Sequence, residues 1–245
     1  MSESHRPAPP TGLIHGSALF LDFDGTLVEL AEAPDAIRVP GELHLLLHDL
    51  ADRLEGRLAI VSGRALADLD RHLPGQAIAM SGSHGMEVRL ADGTQLPLAL
   101  PRGVEEARAE IRAFASGREG LLVEEKPASI AVHFRRAPER EGEVLEFLGG
   151  LADRTGLRLL GGKMVGEVRP PGADKGDAVR AFLAEPVFAG ARPVFVGDDL
   201  TDEHAFAAAA ELGGAGILVG PERATAARYR LDGVAAVADW LRGAL

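Results

Sequence analysis

Asp22-Phe-Asp24-Gly-Thr26 sets two carboxylates two residues apart at the end of an apolar run. Gly197-Asp198-Asp199-Leu-Thr-Asp202-Glu203 sets a second acidic cluster at the end of another. Ligands of open α/β sheets collect outside the carboxyl ends of the strands, so both clusters stand where a site is expected. Either one alone also reads as local structure: Asp-Gly is a common turn, and Thr201-Asp202-Glu203 suits the start of the helix that follows. Together they crowd carboxylates that repel one another unless a cation sits among them. An all-oxygen donor set, with no cysteine and no obligatory histidine, points to Mg2+. Ser62, on the turn after a further apolar run, offers a hydroxyl and nearby backbone N–H groups to an anion. Lys175 opens a helix whose N-terminus favours negative charge. Such residue types suit a metal and an anionic group held side by side.

The elements that must position these residues alternate. Ala18–Phe23 and Arg57–Val61 read as buried strands that each feed a turn. Between them Leu43, Leu46, Leu47, Leu50 and Leu54 recur at helical spacing after Pro40, the pattern of an amphipathic helix against a sheet. Residues 65–72 suit a short helix, 77–80 a third strand and 86–90 a further strand-like run before the Asp92-Gly93 turn. From Asp174 the alternation resumes, with helix 175–183, strand 193–196, helix 202–212, strand 215–219 and helix 234–241. Strands alternating with helices imply a parallel sheet. The middle differs. A helix over 104–115, strand-like 121–125 and 129–135, a helix over 138–154, and strand-like 157–160 and 164–168 suit a small antiparallel sheet covered on one face by two helices. The expected fold is therefore α/β, a Rossmann-like parallel core with an inserted α+β cap. Residues 1–17 would form a flexible tail, 18–103 and 173–245 the core, and 104–172 the insert.

The chain has 245 residues, 46% hydrophobic and 26% charged, the balance of an ordinary globular protein. No apolar run approaches the roughly 20 residues of a bilayer span, and the polar start of the chain lacks a signal-peptide core; no membrane association and a cytoplasmic location are expected. Zero cysteines remove disulfides, thiol nucleophiles and cysteine zinc sites. A net charge of −11, one Trp and one Tyr oppose nucleic-acid binding, which needs basic surface and stacking platforms. An acidic whole does not oppose a phosphorylated small molecule, because a bound cation and a few local basic groups set the field inside a pocket.

In order along the chain, Asp22-Phe-Asp24-Gly-Thr, Ser62-Gly, Lys175-Gly and Gly197-Asp198-Asp199 resemble the four motifs of the haloacid dehalogenase-like phosphohydrolases. The resemblance implies that Asp22 is a nucleophile forming an aspartyl phosphate and that Asp24 is general acid and then base. Ser62 and Lys175 would hold phosphoryl oxygens. Mg2+ would be held by the Asp22 carboxylate, the Asp24 main-chain carbonyl and the Asp198 carboxylate, with Asp199 and Asp202 nearby.

Further stretches resemble the trehalose-6-phosphate phosphatase family: Val61-Ser-Gly-Arg64, Ser83-His84-Gly-Met-Glu87, the run from Val123 to Arg135 with its Glu124-x-Lys126-x-x-Ser129-x-x-x-His133-x-Arg135 spacing, and Gly162-Lys163-Met-Val-Gly-Glu167. This resemblance implies that Glu124, Lys126, Ser129, His133 and Glu167 face the disaccharide from the insert, with Arg64 and His84 reaching it from the core. It further implies trehalose 6-phosphate as substrate and a functional association with a trehalose-6-phosphate synthase. By pattern alone, alternation in 129–135 describes a solvated polar face opposite Ile130, Val132 and Phe134. Lys163 and Glu167 likewise read as hairpin charges and His84 as a turn residue, while His44, His48 and His72 are read as structural. Other sugar phosphates, a phosphomutase and a non-catalytic sugar-phosphate-binding partner are the alternative functions.

Overall fold

In the computed structural model, which describes residues 6–30, 37–96, 103–126, 129–162, 164–171 and 174–245, the first apolar run becomes strand β1 (Ser17–Leu21). Helix α1 (Gly41–Arg53) follows and buries Leu43, Leu46, Leu47 and Leu50. Then come β2 (Leu58–Val61), α2 (Leu66–His72), β3 (Ala79–Gly82) and β4 (Glu87–Arg89). The middle of the chain supplies α3 (Gly103–Ala115), β5 (Leu122–Glu125), β6 (Ile130–His133), α4 (Glu141–Thr155), β7 (Arg158–Gly162) and β8 (Val165–Arg169). The last part supplies α5 (Lys175–Leu183), β9 (Arg192–Gly197), α6 (Glu203–Glu211), β10 (Ala215–Val219), β11 (Tyr229–Leu231) and α7 (Val234–Arg242). The chain divides into two compact units, Met1–Pro97 with Asp174–Leu245, and Leu98–Ala173.

The first unit is built on a seven-stranded sheet in the order β11-β10-β9-β1-β2-β3-β4. Every pairing is parallel except β3 with β4. Side chains alternate across a strand, and both faces of this sheet are covered. Leu19, Leu21, Ile60 and Val196 join α1, α2 and α7 on one side, through Leu47, Leu69 and Trp240 among others. Ala18, Phe20, Ala59 and Phe195 join Val179 and Phe182 of α5 and Phe206 of α6 on the other. Burial on both faces is why these strands read as unbroken apolar runs rather than as alternation.

The second unit is a four-stranded antiparallel sheet in the order β5-β6-β8-β7. Ile130, Val132 and Val168 point to the face that packs on α3 and α4 through Val104, Ile111, Val144, Leu148 and Leu151.

Residues 6–16, assigned to a flexible tail by the sequence reading, are instead tied down. Arg6 pairs with Glu222 and its Nε donates to the Ala227 carbonyl at 3.0 Å. The Arg230 amide donates to Pro7 O at 3.1 Å, Trp240 Nε1 to Pro10 O at 3.4 Å, and Ile14 is buried. A polar, proline-rich stretch cannot build its own ladder, but its carbonyls and one guanidinium are satisfied by the 222–230 segment and α7. The edge strand β11 was not expected from the sequence; three residues with an arginine at the centre carry no readable alternation. Among the described residues no helix is long and apolar enough to cross a membrane.

Candidate active site

Strand β1 is flanked by β9 on one side and β2 on the other. The order reverses there, which opens a crevice at the carboxyl ends. Asp22 stands one residue beyond β1 and Asp198 one beyond β9, and the strands are in register at Leu21 and Val196. The two acidic clusters, 176 residues apart in sequence (22 to 198), are therefore neighbours. Gly25 makes the close approach possible: its φ is +74°, and a Cβ there would lie 2.2 Å from Asp198 Oδ2. The buried Thr26 hydroxyl donates to Asp198 Oδ1 at 3.4 Å.

Lys175 enters as the first residue of α5. Asp174 caps that helix by accepting from the Gly176 and Asp177 amides, and Asp177 returns the bond to Asp174. This cap sets where the helix begins and hence where the lysine points. Its ammonium donates to Asp22 Oδ1 at 2.7 Å and Asp202 Oδ1 at 2.6 Å, with 3% of the side chain exposed. Burial pushes the Asp22 carboxyl well above the ordinary aspartate value. The Lys175 charge opposes this, and Asp202 and Asp198 push further upward. Burial, followed by Asp202, also raises Asp198. For Lys175 burial acts downward, but Asp22 and Asp202 outweigh it and hold the ammonium above its ordinary value.

Asp22, Asp198 and Asp202 bring one oxygen each within 4.8 Å of one another. Asp202 is already engaged on both oxygens, by Lys175 and by the Asp199 amide at 2.8 Å. Lys175 bonds two of these three carboxylates, and the third, Asp198, lies close enough for their charges to repel. Hard oxygen donors at this spacing fit a divalent cation. Asp199, by contrast, turns its side chain to the Leu200 amide at 2.6 Å and caps the 3-10 turn Leu200–Asp202.

Ser62 follows β2, is buried, and accepts at Oγ from the Arg64 amide at 3.1 Å, so its own hydroxyl proton is available to an anion. Ser83 and His84 both have left-handed backbones, φ +50° and +58°. Such residues need support from their surroundings, and the Glu87 carboxylate supplies it, accepting from the Ser83 hydroxyl at 2.6 Å and the Leu66 amide at 3.3 Å. Asp22, Asp24, Ser62, Gly63, His84, Lys175, Asp198, Asp199, Leu30 and Thr201 line one cleft of about 400 Å³. Arg64 and Asp202 do not line it. Arg64 grips the Asp24 carboxylate with Nε and Nη2 at 2.7 and 3.0 Å, while Asp202 lies beneath, fully buried.

In the second unit, Glu124, Ala131 and Glu167 are paired across β5, β6 and β8 and so share the sheet face away from α3 and α4. His133, on the same face by alternation, donates from Nε2 to Glu124 at 2.7 Å. Glu167 accepts from the Ser129 hydroxyl and from Lys126 Nζ at 3.4 Å. All five insert residues singled out in the sequence thus lie on one face in two linked groups. Arg135 lies beyond β6 and is exposed; Lys163 lies outside the described residues.

Two residues escaped the sequence reading. Arg223 donates to the Asp198 and Asp199 carbonyls at 3.3 and 2.8 Å and pairs with Glu203. Asp68 holds Arg64. Arg223 carries no local signal, since it acts only through tertiary contact, whereas Asp68 stands four residues after Arg64, a spacing that could have pointed to the pair.

A solved haloacid dehalogenase-like hydrolase from Bacteroides thetaiotaomicron matches this structure with a TM-score of 0.67 at 15% identity, over 91% of this chain and 97% of that one. With its acidic clusters at the switch point of a parallel sheet, this chain has the fold of that class. A structure described as a trehalose-6-phosphate phosphatase related protein matches at TM-score 0.69 and 28% identity, over 91% and 95% of the two chains. A probable trehalose-phosphate phosphatase of Sinorhizobium fredii is 43% identical over 83% of this chain and 78% of its own length. The trehalose-6-phosphate phosphatase of Escherichia coli is 36% identical over 91% and 85%. Residues 20–235 match the sequence profile of the family described as trehalose-phosphatase. The chain belongs to the trehalose-phosphatase family.

Proposed function

We propose that this chain hydrolyses trehalose 6-phosphate to trehalose and inorganic phosphate, with Asp22 as nucleophile and Asp24 as general acid and then base. The observation that carries the reading is the convergence of Asp22, Asp24, Ser62, Lys175 and Asp198 on one cleft in a chain of this family. An Asp22 oxygen attacks phosphorus, the bond from phosphorus to the sugar oxygen breaks, and Asp24 gives that oxygen its proton. Water then attacks the aspartyl phosphate, Asp24 takes its proton, and phosphate leaves with the Asp22 carboxylate restored. Lys175 fixes the Asp22 carboxylate and, with Ser62, binds phosphoryl oxygens. Asp22, Asp198 and the Asp24 carbonyl would hold Mg2+, with Asp199 and Asp202 close by; when bound, the ion neutralises charge on the transferring group. In the second unit Glu124, Lys126, Ser129, His133 and Glu167 bind sugar hydroxyls, and Arg64 and His84 complete the residues proposed for substrate. A cytoplasmic location, and a functional association with the synthase that supplies this substrate, belong to the same reading.

The test is release of free phosphate from trehalose 6-phosphate, sucrose 6-phosphate, glucose 6-phosphate and p-nitrophenyl phosphate, each with Mg2+ and with chelator. A Mg2+-dependent preference for trehalose 6-phosphate is expected. Preference for another sugar phosphate would keep the mechanism and overturn the substrate; no release from any would overturn both.

A further inference from the structure

We propose that Asp68 is a positioning residue for protonation of the leaving group, acting on Asp24 through Arg64; the inference rests on the acid role given to Asp24 above. Asp68 and His72 are four residues apart on α2 and so share one helix face, and Arg64, two residues before the helix begins, lays its side chain against both. With Nε and Nη2 turned to Asp24, the remaining arm of Arg64, Nη1, lies 2.5 Å from Asp68 Oδ2 and 3.4 Å from His72 Nε2. The same His72 nitrogen lies 3.7 Å from Asp68 Oδ1, so the ring sits against both members of the pair. The side chains of Arg64, Asp68 and His72 are largely withdrawn from water, at 11%, 19% and 16% exposure. The Phe23 ring lies against both the guanidinium and the His72 ring.

A planar guanidinium is a rigid fork, so holding Nη1 fixes the plane in which Nε and Nη2 point. The bidentate grip uses two of the roughly four lone-pair positions of the Asp24 carboxyl. A proton can therefore sit at a remaining position while Arg64 sets the direction it faces. Asp68 holds that fork against turning. Its other oxygen, Oδ1, accepts from the exposed Arg71 at 2.7 Å, a contact that does not involve Arg64. Asp68 also lies in the first turn of α2, where a carboxylate suits the helix dipole. That role would change stability but would not distinguish one leaving group from another.

Single-turnover kinetics makes the distinction. A sugar alkoxide must be protonated as it leaves, whereas p-nitrophenolate leaves without help. Asp24→Asn sets the scale: trehalose release should slow by about 100-fold or more, and the burst of p-nitrophenolate far less. Asp68→Ala should slow trehalose release about tenfold and leave the p-nitrophenolate burst within about twofold. The isosteric Asp68→Asn, which keeps an oxygen for Nη1, should show the same split at smaller size, and it carries the test if the alanine variant does not fold. Arg71→Ala should leave both rates unchanged. Equal slowing on both substrates, or none, with the Asp24→Asn split intact would overturn the role of Asp68. A missing split in Asp24→Asn itself would overturn the acid reading on which the inference rests.

Discussion

Lys175 is held by two carboxylates at 2.6 and 2.7 Å with 3% of its side chain exposed, whereas Lys126 sits 3.4 Å from Glu167 with 34% exposed. The Glu124–His133 pair is likewise half in water. The two units thus place the same residue types under different electrostatic regimes. A buried, fully bonded cluster cannot lose a member without leaving a charge uncompensated, so its geometry is settled before a ligand arrives, which is what stabilising a developing charge requires. Exposed pairs are worth only about 0–1 kcal/mol, and hydroxyl groups of comparable polarity can replace either partner. Rigidity suits bond-breaking, and exchangeable contacts suit recognition of a ligand rich in hydroxyls.

The largest test of this contrast is Asp22→Asn, expected to lower turnover by at least about three orders of magnitude with far-UV circular dichroism unchanged; normal activity would remove Asp22 as nucleophile. Next, Lys175→Met leaves Asp22 and Asp202 facing each other in a buried site. It should cost about 3–5 kcal/mol in urea unfolding, and part of that loss should return on adding Mg2+, a replacement positive charge. A smaller effect is expected from Glu124→Ala, with kcat/KM on trehalose 6-phosphate down about 10- to 100-fold and that on p-nitrophenyl phosphate nearly unchanged. Equal losses on the two substrates would erase the proposed division between the units.

The smallest effect sharpens the contrast within one strand. Glu125, next to Glu124, points to the other sheet face and bonds Arg112 and Arg108 of α3 at 2.5 to 3.1 Å. The Arg112 hydrogen bond, opposed by burial and reinforced by the Arg108 bond, holds its carboxyl below the ordinary glutamate value. Its contribution to stability is therefore present above that ordinary value and is lost as pH falls through the lowered one. Glu125→Gln should leave activity intact and slightly lower the melting temperature at pH 7. The difference from the parent should vanish in acid.

Much of this was legible in residue order. The buried strands of the first unit announced themselves as apolar runs because both of their faces are covered, and the polar face of β6 was visible as strict alternation. Asp22 and Asp198 were recognisable because each ends such a run. The grips of Arg64 on Asp24 and of Arg223 on the Asp198 carbonyl were not legible. Each is a contact between segments whose spacing follows no period, and one side chain offers many possible partners until the fold chooses. The ordered residues 6–16 were misread for the same reason: their partners are at the other end of the chain.

The pairing of β1 with β9, Ser17 opposite Arg192, also bears on synthesis at the ribosome. The central strand of the sheet is translated early and finds one of its two neighbours only after the whole intervening segment has been made. Closing so long a loop is entropically slow, and β2 alone must shield β1 in the meantime. Asp22 and Asp198 meet only at that closure, so a nascent or C-terminally truncated chain that stops before β9 has lost the centre of its chemistry, not merely an edge.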